Sequence, residues 1–145
     1  MSTRPRLVPE LAVTDIVVSR RFWCQILGFK VLYERPEDGF AYLDLDGAEI
    51  MLDQRDGGAP ERVGIWDTGP MERPFGRGIN FQIRLTDYDA TLARVRAAAI
   101  AIHFGPEERW YRRGDEEVGV KQFLVLDPDG YIVRLQQIIG RRPRV

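Results

Sequence analysis

Arg134 sits in a strand-like run, Tyr131-Ile132-Val133-Arg134-Leu135, where strict alternation turns Ile132, Arg134 and Gln136 to one face and Tyr131, Val133 and Leu135 to the other. A guanidinium turned inward from a strand can clamp an anion, but it has no lone pair to offer a metal. The same alternation over residues 79–85 sets Asn80, Gln82 and Arg84 apart from Ile79, Phe81, Ile83 and Leu85. In the first half of the chain, Val8, Glu10 and Ala12 separate from Leu11 and Val13, and Glu49, Met51 and Asp53 separate from Ile50 and Leu52. Inward sets this polar are poor core and point to a wet, ligand-sized cavity. The plain structural alternative pairs Arg134 with Glu10 or Glu49 to hold the two halves in register.

Other chemistry is thinly supplied. His103 is the lone histidine, without a histidine partner, and reads as a surface or packing residue. Cys24 is the lone cysteine, which excludes an internal disulfide or a cysteine-based zinc site, and beside Phe22 and Trp23 it reads as a buried inert thiol. The 145 residues are 44% hydrophobic with a net charge of -1, in the range of a globular protein and well above that of a disordered chain. No nucleic-acid partner is expected, because the basic tail Arg141-Arg142-Pro143-Arg144 is short and reads as a solvated end. No apolar run reaches spanning length and no signal-peptide pattern opens the chain, so no membrane partner and a cytoplasmic location are expected. Arg113-Gly114-Asp115 reads as a surface turn.

The elements that must position these residues occur twice. A strand at Leu7–Val13 leads into a helix capped by Thr14 or Asp15, with Val18, Phe22 and Ile26 on its buried face and Gly28 as its stop. A strand over Phe29–Glu34, a turn at Pro36–Gly39, and two strands joined at Asp46-Gly47 complete the first copy. The second copy opens with the strand Ile79–Leu85. A helix follows, capped by Thr86 or Asp87, burying Tyr88, Leu92, Val95 and Ala99 and leaving Arg94 and Arg96 outward. Next come a strand at Ile100–Phe104, a charged hairpin region over Glu107–Val120, and two strands around Asp127-Pro128-Asp129-Gly130. Neither copy can bury its sheet face alone, so the expected fold is α+β, two βαβββ modules forming a curved mixed sheet cup within a single domain. The first module covers residues 7–54, a linker 55–77, and the second module 78–139. The linker carries Asp56-Gly57-Gly58-Ala59-Pro60, while Trp66, Met71 and Phe75 predict that it packs somewhere.

Val8-Pro9-Glu10-Leu11 with Asp15, Phe22-Trp23 with Leu27-Gly28-Phe29, and Phe123 through Asp127-Pro128-Asp129-Gly130-Tyr131 resemble the vicinal oxygen chelate superfamily from Val8 to Gln136. That group includes glyoxalase I, extradiol dioxygenases, fosfomycin resistance enzymes and bleomycin resistance proteins, and the first two segments look most like the last branch. The resemblance maps the enzymes' four metal-binding positions onto Val8, Met51, Asn80 and Arg134. Hydrocarbon, a thioether and a guanidinium do not suit an oxygen- or imidazole-seeking divalent cation, so no metal and no other cofactor is expected. What the resemblance implies instead is a non-catalytic homodimer that sequesters a bulky drug such as bleomycin at a dimer groove. In some members the N-terminal strand is exchanged between subunits, with Pro9 at the hinge position here.

Such a ligand needs aromatic faces for its flat tail and carboxylates for its cationic end. Phe40, Tyr42, Trp110 and Tyr111 are the candidate stacking residues, with Trp66 and Phe75 behind them. Phe40 matches an aromatic that the family uses for its ligand. Glu37, Asp38, Asp44 and Asp53 are the candidate carboxylates. Where the drug-binding members carry a tryptophan before the Phe-x-x-x-Asp-Pro segment, this chain has Gly119 or a neighbour, which Trp110 could replace from the preceding loop. Asn80 and Arg134 complete the expected ligand-binding set, and Arg134 favours an anionic or carbonyl-bearing ligand over a polycation. The alternative is a metal-independent lyase- or isomerase-type enzyme acting on a small organic acid, with Glu10 or Glu49 as base and Arg134 as anion clamp. A bare dimerisation module is the third possibility, distinguished by a cup closed by its own side chains.

Overall fold

The computed structural model describes residues 4–55 and 65–145. The chain divides into two compact units, Met1–Arg77 with Asp127–Gly130, and Gly78–Leu126 with Tyr131–Val145.

Unit 1 begins with strand β1 (Glu10–Val13), three residues later than the alternation predicts. Asp15 caps helix α1 (Ile16–Arg20) by accepting from Val17 N at 2.9 Å and Val18 N at 3.3 Å. The helix then widens into a π-helical stretch, Arg21–Ile26. Its widened turn changes the facing, so Val18 is 47% exposed while Ser19, Phe22 and Trp23 are buried. Gly28, at φ 96, releases the chain into β2 (Lys30–Arg35), and a 3-10 turn at Pro36–Asp38 leads to β3 (Phe40–Leu45). Asp46 and Gly47 both take positive φ (49 and 96), the requirement of the tight hairpin into β4 (Ala48–Gln54). The sheet order is β1-β4-β3-β2, with β1 parallel to β4 and the other pairs antiparallel. One face buries Leu11, Val13, Leu43, Ile50 and Leu52 in a core shared with Phe22, Trp23 and Leu27.

Unit 2 repeats the order as β5-β8-β7-β6. Strand β5 (Asn80–Arg84) precedes helix α2 (Tyr88–Ala97), which Asp87 caps through Ala90 N at 3.0 Å. Tyr88, Thr91, Leu92 and Val95 are its buried side; Ala99 lies beyond the helix, exposed, at φ 56. Strand β6 (Ile102–Arg113) is far longer than the Ile100–Phe104 segment that the sequence predicts. With β7 (Glu116–Leu126) it forms a ribbon that absorbs the charged hairpin region. Strand β8 (Ile132–Pro143) likewise runs into the basic tail, which is therefore paired strand as far as Pro143 and not a free end. Ile83, Leu85, Phe123, Val125, Val133 and Leu135 form the core beneath α2.

The Asp127–Gly130 turn, though flanked by β7 and β8, packs in unit 1. Asp127 Oδ2 accepts from the buried Trp23 indole at 3.2 Å. Asp129 accepts from Thr14 N at 3.2 Å, Thr14 Oγ1 at 2.7 Å and Arg73 Nη2 at 3.1 Å. Phe75 is half-buried and its N donates to the Asp129 carbonyl at 2.9 Å, whereas Trp66 and Met71 remain largely exposed. The predicted Asp56-Gly57-Gly58-Ala59-Pro60 linker segment lies outside the described residues. Among the described residues, no helix is long and apolar enough to cross a membrane.

Candidate functional site

Each sheet buries one face under its helix, and the other face carries the polar sets. Strand register shows how they group. In unit 1, Tyr33 lies opposite Tyr42, Tyr42 opposite Met51, and Met51 opposite Glu10, a row of side chains across four strands. In unit 2 the equivalent row sets Gln82 opposite Arg134. Glu10 and Gln82, and Met51 and Arg134, are thus corresponding positions of the two copies, with Val8 and Asn80 two residues upstream of the first pair.

The unit 1 face is closed by its own contacts. The Tyr42 hydroxyl donates to Glu49 Oε1 at 2.5 Å, which holds the phenol above its ordinary range. Arg4 Nη1 donates to the same oxygen at 3.1 Å. Tyr42 stacks on Tyr33 with centroids 5.0 Å apart and planes at 20°. Phe40 is buried beneath the Arg35 guanidinium, 4.0 Å from its centroid, and that arginine also pairs with Asp38 at 3.2 Å. Asp44 accepts from Gly47 N at 2.9 Å, so its carboxylate serves the hairpin. Asp53 pairs with Arg55 at 2.5 Å, and Arg55 also reaches Asp67 at 2.9 Å. Glu10 has its carboxyl pushed up by partial burial and by Asp53, against the opposing pull of Arg55 and Arg35.

The unit 2 face carries a half-open cavity of about 260 Å³. Strand β5 supplies Gln82 and Arg84, β8 supplies Arg134, Gln136 and Ile138, β7 supplies Val118 and Val120, and β6 supplies Tyr111, Arg112 and Arg113. Arg134 Nη2 donates to Gln82 Oε1, while its buried Nε has no hydrogen-bond partner among the described residues. Arg134 therefore takes Gln82 as its neighbour, and Glu49 is served by Tyr42 and Arg4. Arg113 is neutralised by Glu116 at 2.7 Å, with Arg141 3.7 Å from the same carboxylate. Gln122, 3% exposed, donates its amide to Glu107 Oε1 at 3.0 Å and to the Tyr111 hydroxyl at 2.8 Å, and its own Oε1 has no partner among the described residues. A hydroxyl that accepts from an amide keeps its proton free to donate elsewhere.

Of the predicted site residues, the structure brings Tyr111 and Arg134 together at this cavity. Asn80 opens β5 in the same unit, exposed. Phe40, Tyr42, Asp38 and Asp44 belong to unit 1, engaged as described. Trp110 lies on the opposite face of β6 from Tyr111. Its ring sits on Gly119, where a Cβ would come within 2.7 Å of three ring atoms, and Arg142 covers it at 4.1 Å from the centroid. The ring thus occupies the space above Gly119, held there by the protein itself. Arg84, Val118, Val120, Gln136 and Ile138 lay outside the predicted ligand set. Alternation continued from Glu107 to Gln122 would have found the two valines beside Tyr111.

Val8, Met51, Asn80 and Arg134, the four positions onto which the resemblance maps the enzymes' metal ligands, offer an isopropyl group, a thioether, an amide and a guanidinium. That donor chemistry does not fit a divalent cation. Among the described residues, no three His, Cys, Asp or Glu side chains are grouped to hold an ion.

The family described as the Glyoxalase/Bleomycin resistance protein/Dioxygenase superfamily matches residues 6–135. A superfamily member from Vibrio splendidus 12B01 is 37% identical over 90% of this chain and 95% of its own, with a TM-score of 0.41. A virulence protein of Salmonella typhimurium is 21% identical, covers 96% of this chain and 100% of its own, and has a TM-score of 0.65. TioX from Micromonospora sp. ML1 is 22% identical over 92% of this chain and 98% of its own, with a TM-score of 0.64. The last two share the fold. No curated protein matches the chain.

Proposed function

The chain belongs to the Glyoxalase/Bleomycin resistance protein/Dioxygenase superfamily, and on that footing we propose that it is a metal-free small-molecule binding protein of the bleomycin resistance type. It captures an aromatic-bearing ligand and does not convert it. The observation that carries this reading is Arg134: a fixed positive charge lines the unit 2 cavity, at a position onto which the resemblance maps a metal ligand of the enzymes. A guanidinium binds anions through planar donors and supplies no lone pair, and at a pH far below its very high pKa it is neither a useful acid nor a base. The cavity around it sets an apolar floor of Val118, Val120 and Ile138 against two glutamines, a tyrosine and four arginines, a lining suited to an anion that carries an apolar part.

The functional unit proposed is a cytoplasmic homodimer, with neither nucleic acid nor membrane as partner. The test joins calorimetry to product analysis. Purified protein is titrated with copper-free and copper-loaded bleomycin and with small organic acids, then each mixture is analysed for conversion. Saturable binding of a ligand that is recovered unchanged, weakened by Arg134→Gln, is the expected result. Turnover of any of these ligands, or stoichiometric nickel, zinc or iron in the active protein, refutes it.

A further inference from the structure

Three guanidiniums without an ion pair among the described residues line the unit 2 pocket: Arg84, Arg134 and, on β6, Arg112. Arg84 and Arg134 are diagonal neighbours on the paired strands β5 and β8, since Gln82 is opposite Arg134 and Arg84 opposite Gln136. Among the described residues neither has a carboxylate within ion-pair distance, although the same face carries Glu116 and Glu107. Glu116 is taken by Arg113 and Arg141, and Glu107 by Gln122. Two like charges side by side on a strand pair repel and disfavour the sheet unless an anion lies between them.

Beyond these two cations the lining changes character. Val118, Val120 and Ile138 make an apolar floor, and the Tyr111 ring stands beside it with a hydroxyl proton to give. The volume of about 260 Å³ holds about nine water-sized groups at ~30 Å³ each, the size of a single ring with a short acidic substituent.

We propose that this cavity binds a small aryl carboxylate, its carboxylate between Arg84 and Arg134 and its ring on Val118, Val120 and Ile138. Planar carboxylate and planar guanidinium match donor to acceptor. The ring gains the apolar burial that a bare anion would forgo. This assignment rests on the capture reading above and specifies its ligand class.

The test uses the full chain and three probes: benzoate, its neutral isostere benzamide, and inorganic phosphate. Calorimetry compares wild type with Arg84→Gln, at an exposed position where folding is retained, with Arg134→Gln, and with Arg141→Gln as a control outside the cavity. Benzoate should bind about tenfold or more tightly than benzamide or phosphate, as expected for a charge-assisted pair. Arg84→Gln and Arg134→Gln should each remove most of that preference, leaving benzamide binding unchanged, while Arg141→Gln keeps it. Benzamide binding as tightly as benzoate overturns the anion assignment and leaves capture standing. Phosphate matching benzoate overturns the aryl part, and absence of benzoate binding at millimolar concentration overturns the whole. Benzoate bound selectively through Arg84 but chemically consumed upholds the ligand class and instead defeats capture.

Discussion

Replacing Asp129 should be among the most damaging single changes on the chain, even though the residue sits in a turn. Its side chain is 1% exposed in its ion pair with Arg73 and accepts three hydrogen bonds, from Thr14 N, Thr14 Oγ1 and Arg73 Nη2. Each bond to a charged acceptor is worth about 1.5–3 kcal/mol, so simple addition gives roughly 4.5–9 kcal/mol. That sum is too large, because the Arg73 side chain is 58% exposed and regains water, and bonds that share one carboxylate are not additive. A loss of about 3–5 kcal/mol is expected for Asp129→Ala, in the range for breaking a buried pair. Asp129→Asn should lose roughly half as much by the same reckoning, since one oxygen still accepts while the amide nitrogen meets the Thr14 N–H donor to donor. Urea unfolding followed by tryptophan fluorescence reads this well, because Trp23 is fully buried in the same unit. A double-mutant cycle with Arg73→Ala isolates the ion pair and should show coupling of about 0.5–1 kcal/mol. A loss below about 1 kcal/mol for Asp129→Ala would mean that the turn does not fasten β1, the linker and α1 together.

Three further outcomes are expected. Gly119→Ala drives a Cβ to within 2.7 Å of the Trp110 ring; lifting the ring from Gly119 should cost about 1–3 kcal/mol and lower the melting temperature by several degrees, and an unchanged melting curve would contradict that packing. Tyr88→Phe should stabilise the protein by about 1 kcal/mol, because the buried hydroxyl has no partner among the described residues and the ring contacts with Phe123 and Lys121 survive; a loss of stability would reveal a bound water serving that hydroxyl. Glu10 has its folded carboxyl above the ordinary value of 4.5, so its ionised form carries a penalty that is absent below the unfolded value and complete above the folded one. Glu10→Gln should therefore stabilise at neutral pH by less than about 1 kcal/mol, with the gain fading as the pH drops below that value. A gain that persists at low pH would trace to packing, not charge.

The parts of the fold that were legible in the sequence are those where one residue type answers one local demand. Asp46-Gly47 meets a hairpin that needs two positive φ values, and Asp15 and Asp87 meet helix ends with unsatisfied amides. The repeated order of elements follows from the same signals occurring twice. What stayed hidden is the ribbon of β6 and β7. Its outer half carries Arg112, Arg113, Glu116 and Glu117, which show no apolar alternation. It is held by ion pairs across strands, Arg113 to Glu116 and Arg142 to Glu117 at 2.7 and 2.9 Å, with Trp110 sandwiched between Gly119 and Arg142. Cross-strand charge pairing of this kind is a property of register, which no single strand displays. The cavity was half visible for the same reason: Arg134 and Tyr111 could be singled out by type, whereas Val118 and Val120 emerge only when alternation is carried through the charged hairpin and its strands are paired.

The two copies have divided their labour by charge, and the division accounts for where a ligand would bind. Corresponding positions hold Glu10 and Gln82, then Met51 and Arg134, in the same strand register. On the first copy acidic groups outnumber their space, and the chain supplies its own cations: Arg4 for Glu49 and Arg55 for Asp53. That face is electrostatically complete, and an added anion or cation would have to break an existing pair to enter, at the cost of leaving a buried charge exposed to no partner. On the second copy the balance is reversed. Arg84 and Arg134 line a cavity floored by hydrocarbon, and among the described residues neither has a carboxylate within ion-pair distance, which is the imbalance that the proposed anion would offset. The two faces differ at corresponding positions: Met51 on the first copy stands where Arg134 stands on the second, and Glu10 where Gln82 stands, so the second carries the added positive charge on which the proposed anion site rests.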